Sequence, residues 1–314
     1  MNIDISDDII KDNSKLSELY EQLVAFKSKH RLSYQAYIMI RDSIYVSNAD
    51  KRRFKTIFEA TSNLIKFKKR IKVVSQDPHD NEVALVDLND VLSSRAYVIL
   101  ENEHQDLDFL FTCIDAVDEG PKLNKYYNRM WTARGAGGCG DIPKLISKCN
   151  HEQMQVPRIL VVNDSDKYHP SHNIDIAQNN IILRVNEMKV EHVMLNKREI
   201  ENYIPIYVLE DIYGDKYPKI IAIKIWSKEQ RDYFDMKKGF HKKCPYNDIR
   251  YNNIYHNLDS KHQKLFSSGF GEDISKTAFN SKMRNLYTKN NLNSEDISIY
   301  PEFLEIKNKL LSIL

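Results

Sequence analysis

Glycine is scarce in this chain of 314 residues, in which it occurs only nine times. Four of the nine, Gly135, Gly137, Gly138 and Gly140, fall within six consecutive residues. Glycine is the residue that accepts positive φ and allows another backbone to approach closely. The segment GAGGCG is therefore predicted to be a tight turn with a special backbone requirement, and it is a first candidate for a functional site.

Cysteine pairs and long apolar runs are also missing. The four cysteines include no CxxC pair, which excludes a zinc ribbon and a disulfide scaffold. No stretch approaches the roughly 18 apolar residues that a membrane span requires. The first residues, MNIDISDDIIKDNSK, are acidic and polar, unlike a secretory signal. Together these features predict a cytoplasmic protein without a membrane partner.

Several sequence signatures of enzymes are absent as well. The chain has no GxxxxGK[ST], GxSxG or HExxH motif, so it has no P-loop ATPase site of its own. Its 46 basic residues are balanced by 44 acidic residues, which excludes a polycation. One stretch, from Lys51 to Lys72, has nine basic residues against the single acid Glu59. This stripe fits either a phosphate-backbone contact or an ordinary solvated helix face, and both interpretations stay open.

Short apolar runs alternate with helical patterns in the middle of the chain. The runs Ala96–Leu100, Arg129–Ala133, Arg158–Val162 and Ile181–Val185 are bounded by polar residues and are typical of buried parallel strands. This alternation predicts the α/β class, with a mainly parallel, Rossmann-like sheet over residues 95–210.

The two flanks, residues 1–94 and 211–314, are predicted to be mainly helical. Residues 1–70 have apolar side chains at helical spacing, as in SKLSELYEQLVAFKSKH, and the strand-like segment IKVVSQ follows them. In the second flank, KEQRDYFDMKKGFHKK is predicted to be a helix that ends at Gly239.

Acidic residues gather at the predicted carboxyl ends of the strands. Glu101, Glu103 and Asp106 follow the first strand, and Asp164 and Asp166 follow the third. Ligands bind at this edge of an open parallel sheet. Converging carboxylates repel one another unless a cation neutralises them, and carboxylate oxygens suit Mg²⁺ or Mn²⁺. The sequence therefore indicates a candidate metal site, while each motif alone also fits a hydrogen-bonded loop or a helix start.

This order of motifs resembles the TOPRIM domain of topoisomerases, bacterial primases and overcoming-lysogenization-defect (OLD) nucleases. The segment VILENEHQDLDFL has the glutamate that ends the first strand, and ILVVNDSD has the Asp-x-Asp motif. The turn GAGGCG is similar to the Gly-Gly turn of OLD-type members, and KREIENYI to a segment that follows the metal site in nuclease relatives. The likeness covers residues 95–210. In one departure, Asn102 stands where the family usually has a glycine, and Asp106 lies one residue further along.

The resemblance implies a metal-dependent nuclease that cleaves or nicks DNA and acts as the effector of an anti-phage defence system. Its catalytic residues and principal ligands for Mg²⁺ or Mn²⁺ would be Glu101, Asp164 and Asp166. Further ligands or orienting groups would be Glu103, Asp106 and Glu201. Contacts to phosphate or DNA would come from Gly137, Gly138, Lys167 and Arg198. RNA stays open as a substrate, and a separate ATPase subunit is an implied partner because the chain has no P-loop.

Two interpretations from other classes stay open. The spacing Gly135-x-Gly137-x-x-Gly140 also matches the dinucleotide-binding fingerprint, with Asp164 twenty-four residues further on. It predicts a Rossmann-type nucleotide-binding enzyme but leaves Asp166 without a role. The same fold would also suit a non-catalytic subunit that binds nucleic acid or a protein partner.

Overall fold

A computed structural model describes residues 1–62, 64, 67–117, 123–153 and 155–314. The strands of these residues are β1 (Asn2–Ile5), β2 (Arg31–Leu32), β3 (Arg70–Val74), β4 (Glu82–Ala84), β5 (Ala96–Leu100), β6 (Trp131–Gly135), β7 (Ile159–Asn163) and β8 (Glu191–Met194). They form two four-stranded sheets with the orders β2-β1-β3-β4 and β6-β5-β7-β8, and all the pairings are parallel.

The helices surround these sheets. They are α1 (Asp7–Ile10), α2 (Asn13–Phe26), α3 (Tyr34–Asp42), α4 (Asn48–Ser62), α5 (Leu88–Ser93), α6 (Glu103–Val117), α7 (Ile142–Glu152), α8 (Ile176–Met188), α9 (Ile206–Tyr213), α10 (Pro218–Ile223), α11 (Lys228–Tyr233), α12 (Ser260–Leu265), α13 (Ile274–Ala278), α14 (Lys289–Glu295) and α15 (Ile299–Ile313). Short 3₁₀ turns connect several of them.

The first sheet lies in the region that the sequence predicted to be mainly helical. The segment IKVVSQ forms a strand as predicted, but β1 and β2 were missed. These two strands have only four and two residues, which is too short for an alternating pattern to be recognised. Ile3, Ile5 and Val73 are buried and form one core with the surrounding helices. The N-terminal region is therefore helices packed on a parallel sheet.

The second sheet confirms three of the four predicted central strands. β5 lies between β6 and β7, with Leu100 opposite Gly135 and Ile99 opposite Val161. Both faces of β5 are covered, which explains its continuous apolar run. The α/β class and the parallel sheet are confirmed, in keeping with a Rossmann-like core.

The fourth predicted strand, Ile181–Val185, is wrong because these residues lie inside α8. Ile181 and Val185 are buried and four residues apart, whereas Leu183 between them is 67% exposed. That spacing is the helical one, and a short apolar run does not separate strand from helix by itself. The fourth strand is β8, at the edge of the sheet, and it begins the segment EHVMLNKREIENYI, whose sequence predicts a short strand that turns into a helix.

The C-terminal helices pack on the same core as the second sheet. The ring of Phe303 on α15 lies 5.7 Å from that of Phe109 on α6. Lys197, after β8, places its Nζ 2.7 Å from Asp232 Oδ1 and 2.8 Å from Asp296 Oδ2, and all three residues are buried. This ion-paired cluster joins the loop after β8 to α11 and to the segment before α15.

The helix predicted over KEQRDYFDMKKGFHKK ends earlier than expected, at Tyr233. The chain then turns, with Asp235 Oδ1 accepting a hydrogen bond from the backbone N–H of Lys238 at 2.7 Å. Gly239 has a φ of +70°, and a Cβ there would lie 2.5 Å from the carbonyl oxygen of Phe266. The turn brings residue 237 toward the carboxyl edge of the second sheet, where it lines a cleft.

Candidate acidic active site

An open cleft lies at the carboxyl ends of β5, β6 and β7. It brings together residues that are distant in sequence: the start of α6, the glycine turn after β6, the end of β7 and the 3₁₀ turn Ile200–Tyr203. The predicted site residues that line it are Glu101, Glu103, Asp106, Gly137, Gly138, Asp164 and Glu201.

Backbone amides hold three carboxylates of this cleft in place. Glu101 Oε1 accepts a hydrogen bond from the N–H of Asp164 at 3.2 Å, which links the ends of β5 and β7. Asp164 Oδ1 accepts one from the N–H of Ile200 at 3.0 Å. Asp106 Oδ2 accepts one from the N–H of Asn102 at 2.8 Å. One oxygen of each carboxylate is thus fixed by the main chain.

The same carboxylates are electrostatically strained. Burial, followed by the charges of Asp166 and Asp106, raises the pKa of Glu101 to about 8. Burial raises the pKa of Asp106 to about 6. The pKa of Asp164 lies well above its usual range because of burial and then the charges of Glu101 and Asp106. Like charges in so small a volume favour either shared protons or a bound cation.

Asp166 lies beside this cluster, held in an unusual backbone conformation. Its φ is +54°, a left-handed value that non-glycine residues rarely adopt and that costs of order 1 kcal/mol. The Asp166 N–H donates to the carbonyl oxygen of Arg198 at 3.0 Å, which fixes this conformation. Burial raises the pKa of Asp166, and its charge in turn raises that of Glu101. Asp166 therefore acts electrostatically on the cleft from its edge.

A series of hydrogen-bonded side chains holds the carboxylate of Asp166 in position. The sequence analysis did not identify this series. Gln178 Nε2 donates to Asp166 Oδ2 at 2.8 Å, and Asn163 Nδ2 donates to Gln178 Oε1 at 2.6 Å. Asn163 Oδ1 in turn accepts from His192 Nε2 at 2.7 Å. Burial lowers the pKa of His192 to about 4, so this imidazole is neutral at neutral pH with its proton on Nε2.

Lys237 is a second functional candidate that the sequence did not indicate. Its Nζ lies 3.3 Å from Glu201 Oε2 and 3.4 Å from Glu199 Oε2, and it lines the cleft. Burial alone would lower the pKa of Lys237, but the charges of Glu199, Glu201 and Asp164 raise it above its usual value. Lys237 is therefore a permanent cation on the cleft wall. A lysine in a predicted surface helix gave no signal of this position.

Glu201 is fully buried, with a relative exposure of 0%. Neither of its carboxylate oxygens has a hydrogen-bond partner among the described residues, so Lys237 supplies its counter-charge. Burial raises the pKa of Glu201. A buried carboxylate of this kind is costly for the fold, as residues kept for function often are.

The glycine turn is shaped by its neighbours in the cleft. A Cβ on Gly135 would lie 2.7 Å from the backbone nitrogen of Glu103, so the start of α6 packs directly on this glycine. Glu103, an exposed residue, also accepts a hydrogen bond from the N–H of Gly135 at 3.3 Å. Gly137 and Gly138 have φ values of +83° and +133°. The Gly137 N–H donates to the carbonyl oxygen of Glu101, so that amide is already used within the protein.

The two predicted basic contacts differ in their placement. Lys167 follows Asp166 and is half-buried, and it does not line the cleft. Arg198, by contrast, is only 7% exposed and pairs with Glu199 at 3.1 Å and Asp235 at 3.7 Å. Its guanidinium also lies 4.4 Å from the centre of the Tyr168 ring. The charge of Arg198, which was predicted to contact phosphate, is therefore already paired inside the fold, and the phosphate contact stays a prediction.

The basic stripe from Lys51 to Lys72 is divided between α4 and β3. Arg53 pairs with Asp50, Lys55 with Glu59 at 3.7 Å, and Lys72 with Glu82 at 2.9 Å. Lys66 lies outside the described residues. Acids therefore neutralise much of the stripe, which favours the solvated-face interpretation for these side chains.

Whether a divalent cation fits this cleft depends on the side-chain orientation of its carboxylates. Across the described ranges, no group of three or more His, Cys, Asp and Glu side chains is arranged to hold a metal ion. The hydrogen bonds to backbone amides direct one oxygen each of Glu101, Asp106 and Asp164 toward the main chain. The donor chemistry fits Mg²⁺ or Mn²⁺, since all three are carboxylates whose ionised forms repel. Binding would require side-chain rotation.

Comparisons with protein-family models, with curated proteins and with solved structures found no match for this chain. None of the helices in the described part of the chain combines the length and the apolar character needed to cross a membrane.

Proposed function

We propose that this protein is a metal-dependent nuclease that cleaves or nicks DNA through a TOPRIM-like acidic site. The observation that carries the proposal is the convergence of Glu101, Asp106 and Asp164 in one cleft at the carboxyl ends of β5 and β7. The raised pKa values of all three favour a cation as their neutralising partner. The order of elements also supports the TOPRIM resemblance: a glutamate after β5, a glycine turn after β6 and Asp-x-Asp after β7.

In this proposal, Glu101, Asp106 and Asp164 hold Mg²⁺ or Mn²⁺ by rotation of their side chains. The bound ion would supply Lewis acidity and a water molecule of lowered pKa for attack on phosphorus. Asp166 adds negative charge at the edge of the cleft, in a position fixed by Gln178. Glu103 anchors the start of α6 to the glycine turn.

Lys237 has a distinct role in the same proposal. Its ammonium is a counter-charge for Glu201 and Glu199 within the wall of the cleft. The same positive charge faces the volume where the phosphodiester would lie, and it would stabilise negative charge that develops there. Lys167, which follows Asp166, is a candidate for contact with the DNA backbone.

The resemblance to OLD nucleases also suggests a biological role for the proposed nuclease. We propose a cytoplasmic effector of anti-phage defence that works with a separate ATPase subunit. The chain itself supports this only through the missing GxxxxGK[ST] motif, which leaves nucleotide control to a partner.

The test is cleavage of supercoiled plasmid with Mg²⁺ or Mn²⁺ by the wild type and by the Asp164→Ala/Asp166→Ala variant. Asp141→Asn is the matched control, because Asp141 is exposed beside the glycine turn and does not line the cleft. We expect nicking by the wild type and the control, and none by the double variant. A calorimetric Mn²⁺ titration of the same proteins follows, and an absence of Mn²⁺ binding in all three would refute the proposal.

The dinucleotide-binding alternative has weaker support. Glu103 fills the space next to Gly135 where a pyrophosphate would approach, and Asp164 bonds to the N–H of Ile200. A saturable change in NADH fluorescence would restore that alternative. Metal-independent DNA binding without cleavage would favour the non-catalytic subunit instead.

A further inference from the structure

The edge of the second sheet that lies opposite the acidic cleft is basic. Arg95 comes directly before β5, Arg158 directly before β7, and Arg129 two residues before β6. These three strands are neighbours and run parallel, so their amino ends lie side by side. The fold therefore gathers three arginines at one edge, a strand's length away from the carboxylates.

A fourth cation, Lys29, is held against this edge by the turn between α2 and β2. The Arg129 guanidinium donates to the carbonyl oxygen of Ser28, and His30 Nε2 donates to the carbonyl oxygen of Leu92 at 2.8 Å. Burial, followed by the charges of Arg95, Arg129 and Arg158, lowers the pKa of Lys29. The four side chains are thus close enough to repel one another. We call Lys29, Arg95, Arg129 and Arg158 the basic edge.

Carboxylates do not neutralise the basic edge. In the part of the chain that the structure describes, none of its four members forms an ion pair, and no acid contributes to the lowered pKa of Lys29. Two acids on adjoining elements are already engaged: Glu152 pairs with Arg134 at 3.1 Å and Glu191 with Lys309 at 2.8 Å.

Arg158 shows the cost of this arrangement most clearly. It is only 1% exposed, and its guanidinium donates to the carbonyl oxygen of Ser94 at 2.7 Å. Its Nε has no partner among the described residues, and burial lowers its pKa to about 10. At this burial Arg158 does not contact a ligand itself, but its charge adds to the positive potential of the edge at which Arg95 and Arg129 are exposed.

Two members of the basic edge, Arg129 and Lys29, lie beside aromatic rings. The Arg129 guanidinium lies 5.8 Å from the ring centre of Tyr126, and Lys29 Nζ lies 5.7 Å from that of Phe26. Arg95 and Arg129 are exposed and within reach of a large ligand. Guanidinium groups match a phosphodiester backbone better than mobile surface lysines do, and the one of Arg129 is held in place beside a ring.

We propose that the basic edge binds the phosphodiester backbone of a nucleic acid, at a site separate from the acidic cleft. The proposal goes beyond the nuclease function and does not depend on it, because backbone binding here requires neither a divalent cation nor cleavage. An acidic protein partner would use the same charges, and the experiment separates the two ligands.

The experiment measures fluorescence anisotropy of a labelled single-stranded oligonucleotide in EDTA, at salt concentrations from about 50 to about 200 mM. We expect Arg95→Gln/Arg129→Gln to weaken binding by roughly tenfold and to reduce the salt dependence by about 1.4 logarithmic units per decade of salt. Arg95→Lys/Arg129→Lys, which keeps both charges, should retain most of the affinity. Thermal melting of each variant shows that the fold is intact.

Arg41→Gln is the control, because Arg41 is an exposed arginine on α3 that pairs with Asp42 at 2.7 Å and belongs neither to the basic edge nor to the Lys51–Lys72 stripe. An equal loss in the Arg41 control, or no loss in the double variant, would overturn the proposal. Polyglutamate that binds in an Arg95- and Arg129-dependent manner, without oligonucleotide binding, would overturn it in favour of an acidic protein partner. A lack of plasmid nicking would count against the nuclease proposal but would not change the binding result at the basic edge. The two proposals can therefore be refuted independently.

Discussion

The ammonium nitrogen of Lys237 lies 3.3 Å from Oε2 of Glu201, a carboxylate with no exposed surface. The same nitrogen lies 3.4 Å from Glu199 Oε2. One cation therefore faces two buried carboxylates, of which Glu199 also pairs with Arg198 at 3.1 Å. Glu201 depends on Lys237, because an unpaired charge in such surroundings is strongly unfavourable.

Replacing Lys237 by methionine is expected to lower the free energy of unfolding by about 3 kcal/mol near neutral pH. Methionine keeps much of the side-chain stem but removes the charge. Burial already raises the pKa of Glu201 above its reference value of 4.5, so stability from this group is present below that pH and is lost as pH rises. Without the lysine ammonium, ionised Glu201 has no counter-charge, so the stability that is lost as pH rises is larger in the variant than in the wild type. The deficit measured by urea unfolding should therefore shrink at about pH 5.

Lys238→Met is the control for this variant, because Lys238 is exposed and its side chain takes no part in the cleft. A deficit that is equal at both pH values, or equal in the two variants, would contradict the assigned role of Lys237.

The pKa of Glu101 predicts how the metal-free protein responds to pH. Its folded value of about 8 lies above the reference value of 4.5, so the stability it contributes is complete below 4.5 and is lost as pH rises through 8. In EDTA, the melting temperature of the wild type should fall across this window. Glu101→Gln should flatten the profile, because amide replaces the titrating carboxyl.

Adding Mn²⁺ should raise the melting temperature of the wild type most at the upper end of the same window, where the carboxylates are ionised. Differential scanning fluorimetry with and without the ion provides the measurement. Identical Mn²⁺ responses in the wild type and Glu101→Gln would remove Glu101 from the proposed ligands.

Gly135→Ala tests the contact between the glycine turn and α6. The new Cβ would meet the backbone nitrogen of Glu103 at 2.7 Å and its Cβ at 2.8 Å, so strand and helix must separate. Overpacking of this kind costs about 1–3 kcal/mol. Gly140→Ala is the matched control in the same turn, since nothing lies within 4 Å of its added Cβ. Chemical denaturation should show a loss for Gly135→Ala only.

Gln178→Met is expected to weaken Mn²⁺ binding by up to about tenfold, because Asp166 would lose the hydrogen bond that fixes its negative charge at the edge of the cleft. The substitution removes the hydrogen bond to Asp166 Oδ2 and one of the two acceptors of Asn163 Nδ2, the other being the carbonyl oxygen of Asp164. Asn179→Ala, on the exposed side of α8, should leave the affinity within about twofold. Calorimetry on both variants decides whether Asp166 requires this support.

Local sequence patterns were sufficient for the parts of the site that follow strands. The apolar runs of β5 and β7 gave both the strands and the positions of Glu101 and Asp164, because parallel strands end at a common edge. Ile181 and Val185 show the limit of the same reasoning, since five apolar-rich residues fit a buried helix face equally well.

The supporting residues depend on contacts that no short window contains. Lys237 meets Glu201 across 36 residues of chain, and His192 meets Asn163 across 29. The burial of Arg198 was not foreseen for the same reason: its partners Asp235 and Tyr168 lie far from it in sequence, and they hold an apparent surface cation in the interior. Charge type is read from the sequence, whereas accessibility is a property of the fold.

The buried cluster of Lys197, Asp232 and Asp296 has a consequence for how this fold could be recombined. Removing the chain after about residue 210 would leave the Lys197 ammonium buried without either carboxylate partner. It would also remove the contact between the rings of Phe303 and Phe109. The segment that contains the acidic cleft is therefore not expected to fold without the C-terminal helices. Any transplantation of this site into another scaffold would have to include the C-terminal helices, because they pack on the core of the sheet that positions it.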